Sequence, residues 1–137
     1  MACAAGYSHD FESLLLMPTT ITVCTTCRQP AVRDDKERTP CGEAMLDSVT
    51  RAAGGVREVE VRGVPCLMGC EHGCNVAISA DGKLAYVLGS FEPGEEAASA
   101  LVEYAAGHAE SDTGVVPFKQ WPQGVKGHFV ARIPPLD

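Results

Sequence analysis

The sequence predicts an α/β domain: a small mixed β-sheet flanked by helices, with an extended C-terminal tail. Short β-branched or alternating stretches at 19–24, 56–64, 75–79 and 84–90 read as strands. Amphipathic stretches at 40–53 and 93–109 read as helices. The resulting order is strand, helix, strand, strand pair, helix. It calls for a right-handed crossover between the first two strands and makes the later hairpin antiparallel. At 137 residues and 45% hydrophobic, the chain suits one domain with its own core.

The first strand, "TTITVC" (19–24), is β-branched and ends on Cys24. "RQPAVRDDKERTP" (28–40) is polar, charged and broken by prolines, so it reads as a loop. Thr39 can cap the first helix, Pro40 can open it, and Glu43 then lies in its first turn. Met45, Val49 and Ala52, with Leu46 and Ala53, recur at helical spacing until Gly54 and Gly55. "VREVEVRGV" alternates Val59 and Val61 with Glu58, Glu60 and Arg62, as a half-exposed strand does. "NVAIS" and "LAYVLGS" flank Asp81-Gly82, a hairpin signal. In the second helix Ala97, Leu101 and Tyr104 share a face, Glu95 and Glu96 suit the N-terminal end, and His108 the last turn. This is the plan of a small thioredoxin-like domain over 19–109, after an N-terminal extension, 1–18, in which Leu14, Leu15 and Leu16 form a short flap. The tail, 110–137, is expected to pack on the outside, anchored by Phe118 and Trp121.

Composition narrows the function. The net charge is −7, which repels phosphate backbones and argues against nucleic acid as a partner. The local basic tract "VKGHFVAR" reads as solvated tail. No apolar run reaches the length of a membrane span, and the N-terminus lacks the basic leading region of a signal peptide. The expected location is cytoplasmic. In a reducing compartment seven cysteines point to metal binding or redox chemistry rather than structural disulfides. Cys3, near the N-terminus, reads as a bystander. No phosphate loop and no Ser/His/Asp arrangement is present, so no catalytic residue is assigned. His72 lies in the cysteine loop and is expected in solvent; His9, His108 and His128 have no partner visible in sequence.

The cysteines form two groups, Cys24 with Cys27, and Cys66, Cys70 and Cys74. A pitch of four would align the second group on one helix face. Pro65, Gly69 and Gly73 oppose that, two interior glycines costing a helix about 2 kcal/mol relative to alanine. They favour a loop with inward N–H groups, a concave nest suited to anions and iron–sulfur sites. Four thiolates on an oxidised 2Fe-2S core leave a charge of about −2, which such donors offset. Topology assembles the ligands: Cys24 ends strand 1, Cys66 to Cys74 precede strand 3, and Cys41 starts helix 1, where the helix end favours a thiolate. Zinc on Cys24-x-x-Cys27 and Cys66-x-x-x-Cys70 is one competing reading. Its knuckles stand 38 residues apart, long for a ribbon or finger. Disulfide exchange through Cys24 and Cys27 is another, although Pro30 and the charged loop delay the helix that such a motif needs.

The pattern resembles the thioredoxin-like 2Fe-2S ferredoxins. In them the first cysteine ends a strand and a basic residue follows four positions on, as with Cys24 and Arg28; a second follows a Pro/Gly-rich loop, as in Cys41-Gly42; the last pair is spaced as Cys66 and Cys70 are. More closely, "VCTTCR", "CLMGCEHGCNVAIS", "GKLAYVLG" and "ARIPP" resemble a bacterial family of small predicted metal-binding proteins, over roughly residues 20–136. Members are often found near cobalamin-biosynthesis genes. The ferredoxin resemblance implies a 2Fe-2S cluster on Cys24, Cys41, Cys66 and Cys70. The second family's characteristic set has Cys27 and Cys74 and lacks Cys41, so Cys27 contests the fourth place and Cys74 stands in reserve. The function implied is a non-enzymatic carrier of single electrons to or from an unidentified redox partner protein; the ferredoxin resemblance admits a homodimer without fixing the oligomeric state. The alternatives are a zinc- or cobalt-binding or metal-delivery protein, linked to cobalamin metabolism, and a dithiol protein using Cys24 and Cys27.

Overall fold

The computed structural model describes residues 18–26, 41–65, 67 and 73–135. The expectations for Leu14 to Leu16, the 28–40 loop, Cys27, Cys66, Cys70 and His72 lie outside the described residues. The elements are β1 (Thr19–Cys24), α1 (Cys41–Ala53), β2 (Val59–Val64), β3 (Val76–Ser79), β4 (Ala85–Leu88), α2 (Glu95–Glu110) and β5 (Phe129–Ile133). They build one five-stranded mixed sheet in the order β2-β1-β3-β4-β5. β1 and β2 run parallel, as the helical crossover between them requires; the other pairs are antiparallel.

Alternation decides which face is covered. Ile21 and Val23 of β1, Val76 and Ile78 of β3, and Tyr86 and Leu88 of β4 are buried in one core with Met45 and Val49 of α1 and Leu101 and Tyr104 of α2. The two helices pack on each other and on β1 and β2. Each fully buried aliphatic side chain contributes about 1.5–3 kcal/mol. Met45, Val49 and Ala53 show the predicted spacing, one apolar residue per turn on the covered face of α1. After α1, Gly55 takes a φ of +87°, the left-handed conformation that glycine adopts without strain.

His108 is the core's main polar group. It is fully buried; its Nδ1 lies 2.8 Å from Thr19 Oγ1, and its Nε2 2.6 Å from the Leu84 carbonyl oxygen. The carbonyl can only accept, so Nε2 donates to it, and the Thr19 hydroxyl donates to Nδ1 of the neutral ring. Burial pushes the imidazole below its usual pKa, the Leu84 contact opposes this, and the nearby Lys83 charge adds to the lowering. Lys83 Nζ donates to the carbonyls of His108 and Ala109 at 3.0 and 2.7 Å, satisfying the C-terminal end of α2.

The 110–137 segment does more than lie on the outside: Phe129–Ile133 form β5, with Ala85 opposite Ile133 and Leu88 opposite Phe129. Phe129 sits with its ring centroid 4.6 Å from Trp121, 5.4 Å from Tyr104 and 5.6 Å from Tyr86. Trp121 donates its indole N–H to the Val116 carbonyl at 2.8 Å, so it anchors the segment. Phe118 is 64% exposed, with Lys126 Nζ 4.8 Å from its ring centroid. Among the described residues no helix is long and apolar enough to cross a membrane.

Candidate functional site

Three segments meet where β1 ends. The Cys24 N–H donates to the Asn75 carbonyl at 3.1 Å, and the Thr25 N–H to the Val64 carbonyl at 2.8 Å. The end of β1 is thus held between the end of β2 and the residues that lead into β3. Cys24 is 3% exposed, and its Sγ lies 3.9 Å from the carbonyl oxygen of Pro65, the residue before Cys66. Thr26 Oγ1 donates to that same carbonyl.

The third segment is the start of α1. Gly42 abuts the Cys24 carbonyl so closely that a Cβ there would overlap its oxygen. The same Cβ would lie 2.9 Å from the Thr25 carbonyl carbon and 3.0 Å from that of Cys24. Gly63 allows a similar approach on β2: a Cβ there would meet Thr25 Cγ2 at 2.7 Å and Leu46 Cδ2 at 2.8 Å. Both glycines therefore have a steric reason to be glycine.

This approach brings Cys41, the first residue of α1, to Cys74, which is fully buried one residue before Asn75. The two are joined as a disulfide, with 6.2 Å between their Cα atoms and a separation of 33 positions in sequence. Cys41 is only half-buried.

Of the site residues read from the sequence, the structure therefore brings Cys24 and Cys41 to one corner, with Cys74 bonded to Cys41. Cys27, Cys66 and Cys70 lie outside the described residues. Among the described residues Cys24 is the free thiol, and no group of three or more His, Cys, Asp or Glu is placed to hold a metal ion. In composition the donor set of this corner is sulfur, one thiol and a cystine. Once reduced, these are soft ligands of the kind that suit zinc or an iron–sulfur core. The Cys41–Cys74 contact was not read from the sequence. Its signal was there: the crossover puts the start of α1 at the end of β1, and the antiparallel pairing of β3 with β1 puts residue 74 at that same end.

The geometry finds its setting in known proteins. The model of the family described as "Protein of unknown function (DUF1636)" matches residues 21–135. No curated protein matches the chain. Among solved structures, a thioredoxin-like [2Fe-2S] ferredoxin from Aquifex aeolicus is similar at 17% identity, with a TM-score of 0.50, over 87% of this chain and 96% of that one. That likeness agrees with the mixed sheet and two helices described above, and the fold is thioredoxin-like α/β. With nearly all of its folded core inside the matched span, the chain belongs to the DUF1636 family.

Proposed function

We propose that this protein is a thioredoxin-like 2Fe-2S protein that passes single electrons to or from a partner enzyme in the cytoplasm. The observation that carries the reading is the corner itself, where β1, α1 and the segment before β3 bring sulfur together around the buried Cys24. Cys24, Cys66, Cys70 and Cys41 would hold the cluster, with Cys27 the rival for the place of Cys41. When bound, the cluster would supply a one-electron couple.

The chain's own contribution is electrostatic and steric. Cys41 is the first residue of α1, and the dipole of a helix favours negative charge at its N-terminal end. Gly42 lets that helix end reach the Cys24 backbone. Burial of Cys24 keeps water from its sulfur. The net charge of −7 steers the protein toward a basic partner, and that association weakens with salt.

The test is purification without oxygen, followed by visible absorption and metal analysis. Equal amounts of iron and acid-labile sulfide support the reading. A colourless protein with zinc replaces it with a mononuclear thiolate site. Serine at Cys24, Cys66 or Cys70 is expected to abolish the colour, and retained colour in any one variant breaks the ligand assignment.

A further inference from the structure

The Cys41–Cys74 bridge uses a sulfur that the proposed cluster site needs. We infer that Cys41 and Cys74 form a reversible dithiol–disulfide couple, a two-electron site that gates metal loading at this corner. The couple stands on the observed pairing; the gating rests on the metal-site reading proposed above.

The two sulfurs differ in access, and that sets the order of events. Cys41 is half-buried at the first position of α1, whereas Cys74 is fully buried. The oxidant is a small-molecule disulfide such as oxidised glutathione. The Cys41 thiolate attacks one of its sulfurs, forming a mixed disulfide at Cys41 and releasing one glutathione thiolate. The Cys74 thiolate then attacks Cys41 Sγ and expels the second glutathione. In sum, two protein thiols and one glutathione disulfide give one protein disulfide and two reduced glutathiones. Two electrons pass to glutathione, with the two thiol protons. A dithiol reductant reverses the sequence by attacking the sulfur of the less buried residue, Cys41 Sγ, with Cys74 as leaving group.

The consequence for loading follows from the chemistry of ligation. A metal takes a thiolate, and a disulfide sulfur has no negative charge to offer. While bridged, Cys41 is withheld; once reduced, it and Cys74 are both supplied beside Cys24. This assigns Cys74 a role that its position in reserve left open: it is the resolving thiol that closes the site.

The experiment uses the full metal-free chain in two arms. In the first, the protein is equilibrated in glutathione buffers of graded poise, alkylated and mapped by mass spectrometry. The expected result is a peptide cross-linked between Cys41 and Cys74 that appears and disappears reversibly with poise. Cys74→Ser is expected to leave a stable glutathione adduct on Cys41. Two alkylated thiols at these positions under excess oxidised glutathione, or pairing of either with another cysteine, overturns the couple.

In the second arm, bridged and reduced protein are offered ferric iron and sulfide without oxygen, and the bridged sample is scored only where the cross-linked Cys41–Cys74 peptide persists through the incubation. Uptake lower by about tenfold or more in the bridged form supports the gate. Equal uptake in both forms overturns the gate and favours Cys27 over Cys41 as ligand. No uptake in either form overturns the cluster reading and the gate together, while the first arm still decides the couple.

Discussion

Gly42→Ala tests the close approach on which the corner depends. Two effects oppose one another. Alanine is favoured over glycine within a helix by about 1 kcal/mol, and by less in the first turn. Against that, the new methyl overlaps the Cys24 carbonyl oxygen and lies 2.9 and 3.0 Å from two backbone carbons. Backbone atoms cannot rotate away as a side chain can, so α1 must move. Forced overpacking of this kind costs about 1–3 kcal/mol or more. The clash wins, for an expected net loss of about 1–2 kcal/mol. Gly107→Ala in α2 is the control, since its Cβ would meet the Val116 methyls at an ordinary 3.6 Å. That variant keeps the helix gain and is expected to be more stable by about 0.5–1 kcal/mol. Urea unfolding of the metal-free, reduced proteins measures both. Gly42→Ala at or above wild-type stability would refute the packing of α1 on Cys24.

The remaining predictions rest on other parts of the fold. A bridge closing residues 33 apart restricts the unfolded chain by about 3.7 kcal/mol in the chain-entropy model. With an unfolding entropy of about 0.29 kcal/mol/K for 137 residues, reduction should lower the Tm by up to about 13 °C, while a Cys41→Ser/Cys74→Ser double variant should not respond to reductant. An unchanged wild-type Tm on reduction would count against the bridge. The buried His108 binds a proton less readily folded than unfolded. Its contribution is fully present above the unfolded pKa of about 6.5 and is lost as pH falls from there toward its lowered folded value. Urea midpoints should therefore drop below neutral pH, with a shallower slope in His108→Gln; equal slopes would contradict this. Phe129→Ala removes a half-buried ring that touches Tyr86, Tyr104 and Trp121 and should cost about 2–3 kcal/mol. A loss under about 0.5 kcal/mol, typical of a surface change, would mean that β5 is not integral to the sheet.

The elements with a strong period were legible from residues alone. β1 and α1 fall where β-branching and the Met45–Val49 spacing put them, and the Asp81-Gly82 step marks the β3–β4 hairpin. β5 was not legible, and the reason is its place at the edge of the sheet. Of Phe129–Ile133 only Phe129 is half-buried and the rest are exposed, so no inside–outside alternation is written into the segment. His108 hid for a related reason: its partners, Thr19 and Leu84, stand 89 and 24 residues away.

At the site, topology foretold that the end of β1, the start of α1 and the approach to β3 would meet. Which sulfurs pair within that corner depends on distances of a few ångströms set by Gly42 and Gly63, and spacing along the chain does not encode them.

The most direct test of the central claim is X-ray absorption at the iron edge of protein purified without oxygen. A thiolate-held 2Fe-2S core gives iron surrounded by sulfur alone, with a second iron as its near neighbour. Iron bound through nitrogen or oxygen, or no stoichiometric iron at all, would contradict it.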